Sequence, residues 1–385
     1  MAATSVKKDR TSTWNIVGDD RTWTLDQRAK IDAEPAIVVA AGNDRNRLLI
    51  NGDIDATGTD GIAIHDSASA TRIVIARTAD IRAVTGIHSQ GDDMAVVNKG
   101  AINAASLGIR TENGFSLTNS GVIHATTAVQ AGGESVIRNA SAGEIRGEAI
   151  GVELSAGDSK LINSGLITGE TLAIRDGDAN SHIINRGHIE GDVALGGGND
   201  IFDGRRGALQ GSVEGGSGND TYYVRGDMTI VENFDGGNDA VISTVSFTLP
   251  DNVEDLVLKG KADINGSGNN SSNQIFGNAG ANELIGMAGD DDLRGGAGDD
   301  ALRGGAGSDE FMIFPGEGVD TINDFGNGED HIGIYNFGFS DVNDLTIKQG
   351  AETGGNVWIE LGNGQRIIIE WIDKSVLDNS DFYFI

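Results

Sequence analysis

Gly268-Asn-Asn-Ser-Ser-Asn-Gln-Ile-Phe276, Gly277-Asn-Ala-Gly-Ala-Asn-Glu-Leu-Ile285, Gly286-Met-Ala-Gly-Asp-Asp-Asp-Leu-Arg294, Gly295-Gly-Ala-Gly-Asp-Asp-Ala-Leu-Arg303 and Gly304-Gly-Ala-Gly-Ser-Asp-Glu-Phe-Met312 follow one another without a break. Each is nine residues long and opens on glycine. Position 6 is Asn273, Asn282, Asp291, Asp300 and Asp309, and position 8 is Ile275, Leu284, Leu293, Leu302 and Phe311. A fixed short period of this kind predicts a stacked solenoid. Six residues turn and three make a short strand, with the large apolar side chain at position 8 pointing inward. Glycines at positions 1 and 4 are expected to take conformations that a Cβ would obstruct. Inward carbonyl oxygens and the carboxylate at position 6 form a donor set without nitrogen or sulfur. Hard oxygen donors select Ca²⁺ over zinc or copper.

One unit is half a coil, so turns on one edge lie eighteen residues apart. Bridging ions are therefore expected between Asp291 and Asp309, and between Asn282 and Asp300. The pattern continues in Gly318-Val-Asp320-Thr-Ile322 and Gly328-Glu-Asp330-His-Ile332. Asp320 should stack on Asp300, and Asp330 on Asp309. The turns bearing Asn273 and Asn282 should bind more weakly. An earlier block carries Gly198-Asn-Asp200, Gly218-Asn-Asp220 and Gly237-Asn-Asp239, with Phe202, Tyr222 and Val241 at the inward position. A flexible glycine linker would not hold these apolar residues in phase. No Lys-Ser or Lys-Thr follows the glycine runs, which argues against a phosphate-binding loop.

The charge is as uneven as the glycine. Residues 1–195 carry 25 acidic and 18 basic side chains, and residues 196–385 carry 33 and 10. Nucleic acid and anionic membranes are improbable partners for such a chain. Without counterions the second half should repel itself, and calcium would supply its folding free energy. The chain has no cysteine. The N-terminal sequence shows no apolar signal segment, and no apolar run is long enough to span a membrane.

A longer period precedes the short one. Ile54, Ile81, Ile102, Ile123, Ile145, Ile167 and Ile189 recur at intervals of 21 to 27 residues. A second apolar site follows each, at Ile62, Ile87, Ile109, Val129, Val152, Ile174 and Leu195. Three short strands per repeat predict a right-handed parallel β-helix over 48–195. Asn98, Asn119, Asn139, Asn163 and Asn185 should stack in an internal ladder. Gly100, Gly121, Gly143, Gly165 and Gly187 should serve left-handed corners. Trp14, Trp23, Leu25 and Ile31 are expected to cap the first rung within 1–47. Catalysis would need an acid–base cluster in a groove. His65, His88, His124, His182, His188 and His331 are scattered along the sequence, and no residue is assigned a catalytic role.

Val357-Trp-Ile-Glu-Leu361 and Gln365-Arg-Ile-Ile-Ile-Glu-Trp371 flank a glycine-rich turn and read as a hairpin. With the nonapeptides of 268–312, the run Val319-Asp-Thr-Ile-Asn-Asp-Phe325 and the stretch Ser243–Gly268, the second half resembles RTX (repeats-in-toxin) proteins, including the C-terminal region of serralysin-type proteases. The resemblance implies several Ca²⁺ ions held by Asp200, Asp220, Asp239, Asn282, Asp291, Asp300, Asp309, Asp320 and Asp330. Carbonyls of Gly286, Ala288, Gly295, Ala297, Gly304 and Ala306 would complete the shells. It also implies type I secretion through the C-terminus, here Asp381 to Ile385, to the outside of a bacterium. No His-Glu-x-x-His or Gly-x-Ser-x-Gly motif is present, so the protease and lipase chemistries are not expected.

The expected chain is thus all-β. It comprises a cap (1–47), a parallel β-helix (48–195), a first repeat block (196–242), a connector (243–267), a calcium-binding β-roll (268–333) and a C-terminal hairpin or sandwich (334–385). Two functions fit. One is a secreted, non-enzymatic adhesin, matrix or surface-associated protein with a cell-surface or polysaccharide ligand. The other is a polysaccharide-active lyase or epimerase-like enzyme with the same export module. The thin acid–base content favours the first.

Overall fold

The computed structural model describes residues 3–65, 68–326, 329–350 and 355–385. Gly328, which the sequence placed in a turn, lies outside them. Among the described residues there is no α-helix, and nearly every strand pairing is parallel. Two compact units are present, residues 1–218 with 228–230, and residues 219–227 with 231–385.

The first unit is a parallel β-solenoid. Its isoleucine column is in register from Ile54 through Ile81, Ile102, Ile123, Ile145 and Ile167 to Ile189. These side chains are buried because alternation along each strand turns them inward. The second column ends differently from expectation. Ile174 pairs with Val193, not Leu195, because a tight Gly191-Asp192 corner shortens that coil. Leu195 is buried two residues further on.

Within residues 3–47 the chain already forms coils of the stack. Ala3–Val6 pairs with Thr22–Leu25, which pairs with Arg47–Ile50, and Trp14–Ile16 pairs with Ile37–Val39. Trp14 and Trp23 lie inside these coils, edge to face with centroids 5.9 Å apart. The Trp23 indole N–H donates to Asn46 Oδ1 at 3.3 Å.

One corner is an asparagine ladder. Asn98 Nδ2 donates to Asn119 Oδ1, Asn119 to Asn139 and Asn139 to Asn163, each at 2.9 Å, and Asn163 to Asn185 at 3.0 Å. The neighbouring glycines do not serve left-handed corners, since none of Gly100, Gly121, Gly143, Gly165 and Gly187 has positive φ. A Cβ on Gly121 would collide with the Gly100 carbonyl, and one on Gly187 with that of Gly165. Close coil-on-coil approach is what requires them.

In the second unit one inward column runs Tyr222, Val241, Leu256, Ile275, Leu293, Phe311, Ile332 and Phe382. A facing column runs Leu284, Leu302, Ile322 and Ile369. The stretch 243–267 is itself part of the stack, since Asp255–Leu258 pairs with Ala240–Ser243 and Gln274–Phe276. The hairpin forms as expected. Val357–Gly362 runs antiparallel to Gln365–Ile369 around Asn363 and Gly364, both at positive φ. That is the primed turn an Asn-Gly pair favours. Gln365–Ile369 in turn pairs parallel with Val319–Ile322, extending the same sheet.

Asn139→Ala removes a link that both donates and accepts within the ladder, and should lower stability by about 2 kcal/mol. The exposed Asn103→Ala should cost under about 0.5 kcal/mol. Thermal denaturation in chelator, followed by circular dichroism, checks the difference.

Candidate metal centre

The position-6 residues of the second unit form two stacks. On one edge Asp220 N–H donates to Asp239 Oδ1 at 2.7 Å, and Asp239 N–H to Glu254 Oε2 at 2.8 Å. Lower on that edge, Asn273 N–H donates to Asp291 Oδ1 at 2.7 Å, Asp291 to Asp309 at 3.0 Å, and Asp309 to Asp330 at 3.0 Å. On the other edge Asn282 N–H donates to Asp300 at 2.7 Å, and Asp300 to Asp320 at 3.2 Å. Asp320 thus stacks on Asp300 and Asp330 on Asp309. In the first unit Asp200 Oδ1 accepts from Ser181 N–H at 2.6 Å.

Each such carboxylate spends one oxygen on the amide of the preceding coil. The Oδ2 atoms of Asp239, Asp291, Asp300 and Asp309 are buried and have no hydrogen-bond partner among the described residues. A buried anion without a partner carries a large desolvation cost. Accordingly burial pushes Asp239 and Asp291 up to about 7, Asp300 and Asp309 to about 6, and Asp320 to about 8. Neighbouring acids add to each shift. Those acting most on Asp239 are Glu232, Glu254 and Asp255.

The glycines explain where a cation fits. A Cβ on Gly286 would meet both Asp291 Oδ2 and the Gly304 carbonyl oxygen, the latter at 2.5 Å. Cβ atoms on Gly295 and Gly304 would meet Asp300 Oδ2 and Asp309 Oδ2. Position 1 is therefore glycine because oxygens crowd it, not because its φ is positive. Positive φ falls at positions 2 and 4 instead: Met287 (90°) and Gly289 (109°), Gly296 (92°) and Gly298 (135°), Gly305 (107°) and Gly307 (144°). Gly316 and Gly318 repeat the pattern before Asp320. The oxygen-lined space behind each position-1 glycine fits a hard cation.

The asparagine turns are built otherwise. Asn273 Oδ1 and Asn282 Oδ1 accept from the N–H groups of Asn269 and Asn278, both at 2.8 Å. Asn273 Nδ2 donates to the Val253 carbonyl at 3.0 Å, and Asn282 Nδ2 to that of Ile264 at 2.5 Å. Neither turn has positive φ at position 2 or 4. An amide carries its own donor, so it satisfies carbonyls that a carboxylate cannot.

Of the expected carbonyl donors, those of Gly286, Gly295 and Gly304 face the position-1 glycine of the coil before. Ala288, Ala297 and Ala306 lie in the same turns, and the Ala306 carbonyl accepts from Gly289 N–H at 2.9 Å. Asp330 uses both oxygens within the chain, Oδ1 accepting from Asp309 N–H and Oδ2 from Gly326 N–H at 2.6 Å. Sequence reasoning missed Glu254, which holds the ladder position in a stretch without the repeat. It also missed Asp324, which takes the N–H groups of Gly304 and Gly305 at 3.0 and 3.1 Å. Only its place beyond the Val319–Ile322 strand could have signalled it.

The sequence model of the RTX calcium-binding nonapeptide repeat, four copies, matches residues 267–302 and 276–311. Residues 267–311 are RTX repeats. Such repeats bind calcium ions, and the buried Oδ2 atoms of Asp291, Asp300 and Asp309 lie in them, while that of Asp239 lies outside. No curated protein matches the chain. Among solved structures it is similar to the AlgE6R3 subunit of the Azotobacter vinelandii mannuronan C5-epimerase, at 26% identity, covering 32% of this chain and 80% of that one, with a TM-score of 0.27. It is also similar to the extracellular lipase LipA of Serratia marcescens, at 15% identity, covering 66% of this chain and 45% of that one, with a TM-score of 0.22. The chain thus spans under half of the lipase's length. Among the described residues no helix is long and apolar enough to cross a membrane.

On the first unit, His88 Nδ1 lies 3.2 Å from Asp60 Oδ2, and its Nε2 lies 3.5 Å from Glu112, which pairs with Arg110 at 2.8 Å. Arg110 shares a column with His88, Gln130, Glu153 and Arg175, an alignment the sequence spacing concealed.

Two outcomes follow. Met287→Gly relieves a left-handed non-glycine residue and should stabilise the calcium-loaded form by about 1 kcal/mol in urea denaturation. Metal-free, the buried carboxylates hold protons in the folded state that the unfolded chain has released. Their contribution to stability is therefore present below about pH 4 and is lost as pH rises through 6 to 8. Urea midpoints in chelator should fall from pH 5 to pH 8, and saturating calcium should remove that fall.

Proposed function

We propose that this is a secreted bacterial calcium-binding protein whose C-terminal half folds on Ca²⁺ outside the cell. Its β-helix would be a non-enzymatic interaction module of an adhesin, matrix or surface-associated protein. The single observation that carries the reading is the set of buried, unpartnered Oδ2 atoms of Asp239, Asp291, Asp300 and Asp309, aligned on two edges. Calcium ions would be held by these residues together with Asp200, Asp220 and Asp320. Carbonyls of Gly286, Gly295 and Gly304, with Ala288, Ala297 and Ala306, would complete the shells. Asp330 would close its column, and Asn282 would close a turn without an ion. Extracellular sites of this kind bind at roughly 10⁻⁴–10⁻³ M. A cytosol poor in calcium would leave them empty and the C-terminal half unfolded, which keeps the chain exportable by type I secretion.

The His88 quartet favours a second reading, a polysaccharide-active enzyme. It places two carboxylates and an arginine around one histidine. Depolymerisation or epimerisation of a uronic-acid polymer with Ca²⁺, abolished in His88→Ala, would establish that reading and remove the first.

Millimolar Ca²⁺, and not Mg²⁺, should reduce the hydrodynamic radius of the chelator-treated chain in size exclusion. Asp300→Ala should raise the calcium midpoint about tenfold or more, and Asn282→Ala should leave the number of bound ions unchanged. An unaltered radius would sink the proposal.

A further inference from the structure

Glu232 belongs to no glycine-rich turn. It follows the strand Thr229–Val231, twelve residues after Asp220 and seven before Asp239, out of step with the repeat. Its carboxylate nevertheless reaches the interior of the coil. Single carboxylate oxygens of Asp220, Glu232 and Asp239 all lie within 4.8 Å of one another. The three residues are 1%, 7% and 0% exposed. Asp239 Oδ1 is taken by the Asp220 N–H, and its Oδ2 is buried with no partner.

Two contacts fix Glu232 in that place. The Tyr222 hydroxyl, fully buried at the inward apolar position, donates to Glu232 Oε1. Asn252 Nδ2 donates to the Glu232 carbonyl at 3.0 Å. A tyrosine where the other coils carry a purely aliphatic or phenyl side chain has one distinguishing atom, and that atom orients a carboxylate. This is the arrangement of an outer partner holding a metal ligand.

We propose that Asp220, Glu232 and Asp239 form an interior calcium site in which Glu232 is the third carboxylate and Tyr222 its positioning residue. The inference rests on the reading of Asp220 and Asp239 as ligands and adds what distinguishes their site from the others. All donors are oxygens, which suits Ca²⁺. Affinity rises with the number of charged ligands. This three-carboxylate site should therefore be the tightest in the chain and fill before the two-carboxylate turns.

Flow dialysis of radioactive calcium against the full-length chain tests this. Wild type should show one tight class and several weaker ions. Glu232→Gln should lose the tight class and one ion. Tyr222→Phe should keep the count and weaken that class about tenfold. Asp309→Asn should lose weaker ions and leave the tight class in place. Unchanged binding in Glu232→Gln overturns the interior site and leaves the turn reading standing. Unchanged binding in Asp309→Asn, with the tight class lost in Glu232→Gln, removes the turn reading and keeps the interior site. Should Glu232→Gln fail to fold, europium luminescence of the wild type decides. A long-lived class, largely stripped of water and the last to be displaced by calcium, supports the site, and its absence overturns it.

Discussion

Carboxylates stacked one strand spacing apart, about 4.8 Å, and shut away from water govern the C-terminal unit. The parallel ladder forces the spacing: once the strands after Asp291 and Asp309 pair in register, their side chains cannot separate. Each anion gains one backbone amide, and the other oxygen is left without a donor. Among the described residues no hydrogen-bond donor reaches the second oxygens of Asp239, Asp291, Asp300 and Asp309. A cation can.

The two units meet the same geometric problem with different chemistry. A β-solenoid corner repeats one side chain above another, so that side chain must satisfy its own copies. Asparagine does so alone, since each amide gives a hydrogen to the next and accepts one from the last, as from Asn98 to Asn185. Aspartate has acceptors only. The Asn ladder therefore makes a coil stack that is complete as synthesised, whereas the Asp ladder makes one that is conditional on an external ion. Asn273 and Asn282 show the change within the repeat itself. There the amide hydrogens occupy carbonyls of the preceding coil, and the backbone relaxes out of the left-handed conformation seen before Asp291 and Asp300. The amide at position 6 acts together with Asn269 and Asn278 at position 2, whose side chains also donate to carbonyls of the preceding coil.

Much of this was legible in the sequence because solenoids convert linear period directly into spatial stacking. The isoleucine column, the asparagine ladder, the alternate stacking of Asp320 and Asp330 and the Asn-Gly hairpin all follow from spacing alone. What spacing does not carry is the reason for each glycine. Gly121 and Gly286 are required by neighbouring oxygens, while positive φ falls at Met287 and Gly289. Nor does it reveal residues that enter a site from outside the period. Glu232 and Asp324 reach their places through the fold, and Glu254 holds a ladder position in a stretch that lacks the nonapeptide. The coils within the first 47 residues are spaced unevenly, with Thr22 lying 19 residues after Ala3 and Arg47 lying 25 after Thr22, so no single interval marks them in the sequence.

The central claim is that calcium completes the carboxylate ladder and that the asparagine ladder needs no ion. Amide hydrogen exchange on the full chain, read by mass spectrometry with calcium and with chelator, tests it most directly. Peptides spanning Asn282 to Asp320 should exchange slowly with calcium and rapidly without it, while those spanning Asn98 to Asn185 keep the same protection in both. Equal protection of the Asp291, Asp300 and Asp309 coils in chelator and in calcium would contradict the account.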